Sequence, residues 1–419
     1  MDGLRTIVLA AGKGTRMKSD VPKVLHQVGG QALIDYVLNV VKDVGSLKTY
    51  VVLGYGISQV KNHLGNRVRV VQQKKMLGTA DAVKVVLNHL KGFSGDVLIL
   101  CGDTPLLRHE TIRRLIAHHR RSKAACTVLT AIVKDARGYG RIIRNTRGLV
   151  TAIREEKDAS DAEKDIHEIN VGMYCFSATK LLSFVPKIKI NPVKKEYYLT
   201  DIIGLLAGAH FKIETITTDD AQEGLGVNTR EDLALAQAVV RKRILKKLMQ
   251  QGVTILDPST TYIDARVKIG RDTVIKPFVF IEENVTIGKR CKIGPFARLR
   301  PGTKIADEAE VGNFTEISRT RLGRKSIMKH FSFLGDAIIG EKVNIGAGTV
   351  TANYDGVSKN QTNIGNGAFI GSDAVLVAPV KIGKKAMVGA GSVVTKGKII
   401  PDGGIAVGIP ARVIKRRKI

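Results

Sequence analysis

Two hydrophobic periods divide the chain. Up to about residue 228, short apolar runs alternate with helical patterns. TIVLAAG (6–12), YVVLGYG (50–56), VRVVQQ (68–73), DVLILCGD (96–103) and CTVLTAIV (126–133) predict buried strands. Between them, 31–45, 78–92 and 109–121 carry apolar residues at helical spacing. Alternation of this kind implies an α/β domain with a mostly parallel, Rossmann-like sheet, whose ligands sit outside the carboxyl ends of the strands. Residues 229–252 then predict one long helix ending at Gly252, with Thr229 and Asp232 as an N-cap signal short of a full capping box. No helix of similar length accompanies it, so it reads as a linker between a domain at 1–228 and one at 253–419.

Beyond the linker the period becomes six. Ile263, Ile269, Ile275, Ile281, Ile287, Ile293, Leu299, Ile305, Val311 and Ile317 recur every six residues. After an interruption the spacing resumes at Ile364, Ile370, Leu376, Ile382, Val388 and Val394. A six-residue period fits neither an α-helix nor a hairpin meander. It marks a parallel β-helix, each hexad supplying one flat face and stacking its aliphatic residue inside. The interruptions at roughly 320–337 and 352–363 are expected to be loops expelled from the solenoid, the first carrying His330 and the second Asn353, Tyr354 and Asp355.

Composition narrows the class. The chain has 419 residues with 44% apolar content, globular material for two or three domains. No apolar run is long enough to span a bilayer. MDGLRTIVLAAG carries one basic residue and runs straight into a strand pattern, unlike a signal peptide. Cys101, Cys126, Cys175 and Cys291 lack CxxC spacing, so neither a disulfide framework nor a zinc site is expected, and a cytoplasmic location with reduced thiols follows. The net charge of +29 raises nucleic acid as a partner. Basic residues are nevertheless spread out, dense only at 241–247 and in the tail Val413–Lys418, and aromatic content is 5% with no Trp. Stacking platforms are therefore scarce, and a solvated basic surface that attracts small polyanions is preferred.

LAAGKGTRM (9–17) follows the first strand, so backbone N–H groups of its Gly-rich turn can cradle phosphate. It matches neither the Walker A pattern nor GxGxxG. Pro22-Lys23 follows, and then LGTADA (77–82), CGDTPL (101–106), GYGRI (138–142), EINVGM (168–173), EYYLTD (196–201) and GVNTR (226–230). With this ordered set and the hexads behind it, nearly the whole chain resembles the bacterial bifunctional N-acetylglucosamine-1-phosphate uridyltransferase/glucosamine-1-phosphate acetyltransferases. The resemblance implies a nucleotidyltransferase domain followed by a left-handed β-helix. It implies uridylyl transfer from UTP to N-acetylglucosamine-1-phosphate, with Mg²⁺ on Asp103 and Asn228 and phosphates met by Arg16 and Lys23. Leu9, Ala10, Ala11 and Gly12 would border the nucleotide, Gln73, Gly78 and Thr79 the uracil, and Gly140, Glu155 and Asn170 the sugar. A phosphate nucleophile is already ionised, so alignment and charge neutralisation would supply the catalysis.

The same resemblance implies acetyl transfer from acetyl-CoA to glucosamine-1-phosphate in a homotrimer with sites between subunits. His330 matches the base that accepts the amine proton. Glu316 matches the acid beside it, and Arg300, Asn344, Asn353 and Tyr354 match acceptor-site and cofactor-site positions. Ala347, Ser372 and Ala390 match coenzyme A contacts. The chain also departs from the family. Ser318 stands at a substrate-binding lysine, Phe333 at a tyrosine and Ile409 at an arginine for which Arg412 or Lys415 could substitute. The hexads before Arg300 are about two coils shorter. Two readings stay open beside the bifunctional enzyme: a nucleotidyltransferase whose β-helix is a trimer scaffold or serves another acceptor, and a noncatalytic regulatory subunit of the same plan.

Overall fold

The computed structural model describes residues 3–192 and 195–416, which form two compact units, Met1–Gln237 and Ala238–Ile419. In the first, strands β1 (Leu4–Ala10), β2 (Lys48–Leu53), β3 (Arg69–Gln72), β4 (Asp96–Cys101) and β5 (Cys126–Ile132) coincide with the five apolar runs. Helix α1 (Leu33–Asp43) follows β1, α2 (Ile57–Leu64) follows β2, α3 (Thr79–Lys84) follows β3 and α4 (His109–Ser122) follows β4. The helix expected over 78–92 is shorter: α3 stops at Lys84, and a 3-10 turn at Leu87–Leu90 completes the segment. A hairpin of β6 (Arg141–Arg144) and β7 (Val150–Arg154) precedes β8 (Glu168–Ser177), and α5 (Asp201–Gly208) leads to β9 (Ile213–Thr217).

Among the described residues the sheet order is β9-β5-β8-β4-β1-β2-β3, with the hairpin joined through β6 to β8. The sheet is mostly parallel, as expected, but β8 enters antiparallel between β4 and β5. Its pairing with β5 breaks between Asn170 and Tyr174, a bulge that accommodates Gly172 at φ 80°. Apolar side chains on both sheet faces are buried under helices, which is why the parallel strands read as unbroken hydrophobic runs. The carboxyl ends of β1, β3 and β4 open together on one edge, delivering Gly12, Gln73 and Asp103 to the same cavity.

Helix α6 (Arg230–Gln250) is the long one, and the division between the units falls inside it. Its N-cap is stronger than the sequence suggested. Asp232 N donates to Thr229 Oγ1 (3.1 Å), while Asp232 Oδ2 accepts from the backbone of Thr229 (2.8 Å) and of Asn228 (2.9 Å). An aspartate thus closes the reciprocal box usually built with glutamate.

The second unit is a left-handed β-helix of hexapeptide coils. Among the described residues three sheets of ten, eight and eight strands run along it, parallel except for the last strand of the first, Arg412–Arg416, which pairs antiparallel. The first begins at Thr254–Ile255, the second at Tyr262–Ile263 and the third at Lys268–Ile269. The aliphatic hexad residues stack in register, Ile275 on Ile293 on Val311 for example, and form one continuous buried core. Ile293 is fully buried in the middle of this stack. Truncating it to alanine should cost about 2–5 kcal/mol, because flanking coils cannot collapse into the gap without breaking their own ladders. Chemical denaturation followed by far-UV circular dichroism would check this.

The first interruption is not an expelled loop. Arg321–Leu322, Ile327–Met328, Ser332–Gly335 and Ala337–Ile339 all remain in the ladders. Two corners simply use five residues instead of six, Ile317 to Leu322 and Leu334 to Ile339, with Arg319 (φ 48°) and Asp336 (φ 51°) making the tighter turns. The phase shifts and the coil continues. The second interruption is a true extrusion: Tyr354 bridges Lys359, and Asp355 accepts from Val357 N, Ser358 N, Asn360 Nδ2 and Lys396 Nζ. None of the described helices is long and apolar enough to cross a membrane. All four cysteines are free. Of the basic tail, Arg417 and Lys418 lie outside the described residues.

Candidate functional site

A cavity of about 550 Å³ lies at the carboxyl edge of the first unit's sheet. Of the sequence-derived residues it is lined by Leu9, Ala10, Ala11, Gly12, Lys23, Gln73, Gly78, Thr79, Asp103 and Glu155. The glycine loop does not open a helix; it leads into a single 3-10 turn, Thr15–Met17, so no extended helix dipole faces the cavity. What the loop admits instead is Lys23. A Cβ on Gly14, at φ 63°, would stand 2.8 Å from Lys23 Cβ. Lys23 Nζ donates to Asp103 Oδ2 and to Asn228 Oδ1 (3.1 Å), the Lys23 and Asp103 side chains being 14% and 18% exposed. Asn228 does not line the cavity but joins it through this lysine.

Asp103 and Asn228 therefore converge two oxygens on one positive group, a donor set suited to a hard cation such as Mg²⁺. No cluster of three or more His, Cys, Asp or Glu side chains that could hold a metal occurs among the described residues. The protein would supply two oxygens and leave the remaining positions to substrate phosphates and water.

On the other side, Gln73 is 3% exposed and fixed by its amide, which donates to Gly78 O (3.1 Å) and Asp81 Oδ2 (2.7 Å). Gly78 adopts φ 103°, and a Cβ there would meet the Tyr197 carbonyl at 2.5 Å, so the turn tolerates only glycine. Leu199 N donates to Thr79 Oγ1 (2.9 Å), tying this turn to the EYYLTD segment. From that segment Thr200 donates to Glu155 Oε1 (2.9 Å), and burial raises the Glu155 carboxyl above its usual range. Asn170 N bonds Gly140 O (2.8 Å), and its side chain spans the β8 bulge to Tyr174 Oη and Gly172 N. The pair is together but outside the cavity lining, as is Arg16, which is exposed.

Seven lining residues escaped the sequence reading: Lys13, Val24, Met76, Ala82, Cys101, Glu196 and Tyr198. All but Val24 and Met76 lie inside motifs that sequence had already singled out. Burial, then the nearby Asp103 charge, pushes the Cys101 thiol up to about 12, so it stays protonated. Asp81 was missed too, although it belongs to LGTADA.

The second unit organises its residues by corner. The residues two places after Val311, Met328, Ile345, Ile370 and Val388 are Asn313, His330, Ala347, Ser372 and Ala390. These stack one per coil: Asp373 N donates to Ala347 O (2.6 Å) and Gly391 N to Ser372 O (2.8 Å). His330 thus stands at one end of the column that carries Ala347, Ser372 and Ala390. At about 4.8 Å per coil, three coils span roughly 14 Å. The next corner position changes character along the same edge. Below, Phe278, Phe296 and Phe314 form an exposed stack with centroids 4.8 and 4.9 Å apart, and Phe331 follows. Above it stand Gly348, Asp373 and Gly391, so the aromatic run ends at Phe331.

Arg300 Nη1 donates to Glu316 Oε1 (2.9 Å), and Phe333 lies beside Glu316 on the following strand. Asn353, 8% exposed, donates to Asp336, which also accepts both Arg319 Nε (2.6 Å) and Nη2 (2.8 Å). Tyr354 is exposed on the extruded loop and donates to Gly356 O (2.6 Å). Asn344 lies on the first sheet, whereas Glu316 and Phe333 lie on the second. Ser318 is buried, and its hydroxyl accepts from Arg319 Nη1 (2.8 Å). Ile409 is 75% exposed, and Arg412 and Lys415 sit on the last strand, paired with Val407 and Ile405.

The MobA-like NTP transferase domain model matches residues 6–165, and the bacterial transferase hexapeptide model (six repeats) matches 266–300, 284–319 and 361–396. The chain is 45% identical to the bifunctional protein GlmU of Pelotomaculum thermopropionicum, over 90% of either chain. It is 42% identical to that of Geobacillus thermodenitrificans over 99% of this chain and 97% of the relative. The Heliobacterium modesticaldum protein of the same name is 43% identical over 96% and 94%.

Proposed function

The chain belongs to the bifunctional GlmU family, and from that premise we propose how its residues divide two transfers that together make UDP-N-acetylglucosamine. The first unit carries uridylyl transfer, the second acetyl transfer. The observation that carries this reading is Lys23 held on both Asp103 and Asn228 at the edge of a cavity that also contains Gln73, Gly78, Thr79 and Glu155. A noncatalytic scaffold has no physical need for that set.

In the first reaction a phosphate oxygen of N-acetylglucosamine-1-phosphate attacks the α-phosphorus of UTP, and the bond to the β-phosphate oxygen breaks to release pyrophosphate. Lys23 neutralises phosphate charge inside the cavity, and exposed Arg16 does so at its mouth. Leu9 through Gly12 lie along the nucleotide, Gln73 with the 78–79 turn faces uracil, and Glu155 with Gly140 and Asn170 orients the sugar. Asp103 and Asn228 would hold Mg²⁺, which supplies charge stabilisation to the triphosphate.

In the second reaction His330 takes a proton from the glucosamine amine as its nitrogen attacks the thioester carbonyl, and the coenzyme A thiolate leaves. The cofactor lies along Ala347, Ser372 and Ala390, with Arg412 at the far end of that column. Glu316 and Arg300 hold the acceptor with Asn353 and Tyr354. A site using both Asn344 and Glu316 draws on two faces of the prism, which supports completion by a second copy in a homotrimer.

Ser318 brings no charge to the acceptor, and Arg319 beside it is engaged by both oxygens of Asp336. The missing cation should raise the KM for glucosamine-1-phosphate by about one to two decades relative to a lysine at that position. Purified protein given glucosamine-1-phosphate, acetyl-CoA, UTP and Mg²⁺ should release thiol and pyrophosphate, followed separately, and Ser318→Lys should lower that KM. Pyrophosphate release only when N-acetylglucosamine-1-phosphate is supplied would overturn the acetyl-transfer half.

A further inference from the structure

We infer that Asp81 is a positioning residue that fixes the polarity of Gln73 and so makes the base pocket select a nucleobase with a ring N–H, uracil over cytosine. The inference rests on the nucleotidyl-transfer reading and extends it to the origin of base choice.

Gln73 follows β3, and its backbone N donates to Leu53 O (2.8 Å), so the residue is anchored before its side chain is considered. A glutamine amide can enter a pocket in two orientations that differ only by exchange of nitrogen and oxygen. Here one of them is excluded. Nε2 faces the Gly78 carbonyl at 3.1 Å and the Asp81 carboxylate at 2.7 Å. Both partners accept and neither donates, so a flipped amide would set Oε1 against two acceptors and lose both hydrogen bonds. With both amide hydrogens used, the only polar group Gln73 has left for a ligand in the cavity it lines is the acceptor Oε1. A base seated against it must offer a hydrogen. Uracil does so at N3, whereas cytosine presents a lone pair there, placing two acceptors face to face.

Gly78 O alone would not hold this polarity as firmly, because a neutral carbonyl contributes about half of what a carboxylate does. Asp81 is in turn fixed, since α3 begins on the turn pinned by Ala80 N to Tyr197 O (2.9 Å) and by Leu199 N to Thr79 Oγ1. Asp81 does not line the cavity itself. Its effect is exerted through Gln73.

The test is nucleotide preference rather than activity. Asp81→Asn keeps the shape but can donate as well as accept, so the Gln73 amide is free to invert. Binding of UTP and of CTP to wild type and variant, by titration calorimetry, should show the UTP/CTP preference falling about ten- to a hundredfold in Asp81→Asn. Asp81→Glu, which still only accepts, should keep the preference within the wild-type range. In turnover the loss should appear as a raised KM for UTP with kcat nearly retained. An equal weakening of UTP and CTP in Asp81→Asn, with the preference unchanged, would reduce Asp81 to a structural role and overturn the inference. A wild-type protein that prefers UTP in binding but transfers nothing would instead overturn the function and leave the base-choice device standing.

Discussion

Asp103→Ala should abolish pyrophosphate release while leaving thiol release from acetyl-CoA at its wild-type rate. The carboxylate has two tasks that alanine cannot perform. It is one of the two oxygens available to a metal, and it is the principal partner of the Lys23 ammonium, which is mostly buried. Removing it leaves that ammonium on Asn228 alone, and an uncompensated cation pulls water or a stray anion into the cavity. Loss of one preorganised electrostatic contact of this kind typically costs about 10²–10³ in kcat, and loss of metal affinity adds to it. Asp103→Asn separates the two effects, since it keeps an oxygen donor but not the charge. The backbone should hold in either variant, because Val227 N bonds the Asp103 carbonyl (2.9 Å), not its side chain. Turnover near wild type in Asp103→Ala would sink the metal assignment.

His330→Ala should have the complementary effect, removing thiol release by about 10²–10⁴ and sparing pyrophosphate release from supplied N-acetylglucosamine-1-phosphate. His330 is exposed at a corner, outside the continuous core of the solenoid, so the fold has little at stake in its side chain. Its place at the end of the Ala347–Ser372–Ala390 column would bring the thioester end of an extended cofactor to the imidazole. Acetyl-CoA binding should therefore survive the substitution while kcat falls. A comparable loss of cofactor affinity and of kcat would indicate that His330 holds the ligand rather than the proton.

The two halves were legible to different depths. The hexads could hardly be misread, because a period of six repeats one physical environment, an aliphatic side chain between identical neighbours. Where the sequence loses the period at 320–337, it does so by dropping single residues from two corners, and a phase shift looks the same as an excursion until the ladders are seen. In the first unit the long apolar runs announced the parallel strands. β8 did not announce itself: in its first half Ile169, Val171 and Met173 alternate with Asn170 and Gly172, so it lacks the continuous apolar run that marked the parallel strands. The helix expected at 78–92 stops early because its second half is drawn into a 3-10 turn.

For the site, residue types and spacing determined which side chains carry phosphate, base and metal chemistry, since only hard oxygens, cations and glycine turns suit those tasks. Spacing alone did not say which of them meet. Lys23 lies far along the chain from Asn228, and their contact exists because the segment after β1 and the start of α6 arrive at one sheet edge. The glycine loop shows the same limit. In sequence its glycines open backbone to phosphate; in the fold Gly14 is bare because Lys23 packs where its Cβ would be. Asp81 marks the boundary most sharply. As a letter in LGTADA it is one acidic residue among many, and only the packing of α3 against Gln73 turns its charge into the orientation of an amide. Chemistry that depends on what a residue is can be read along the chain, whereas chemistry that depends on which way a neighbour points is decided by the tertiary structure.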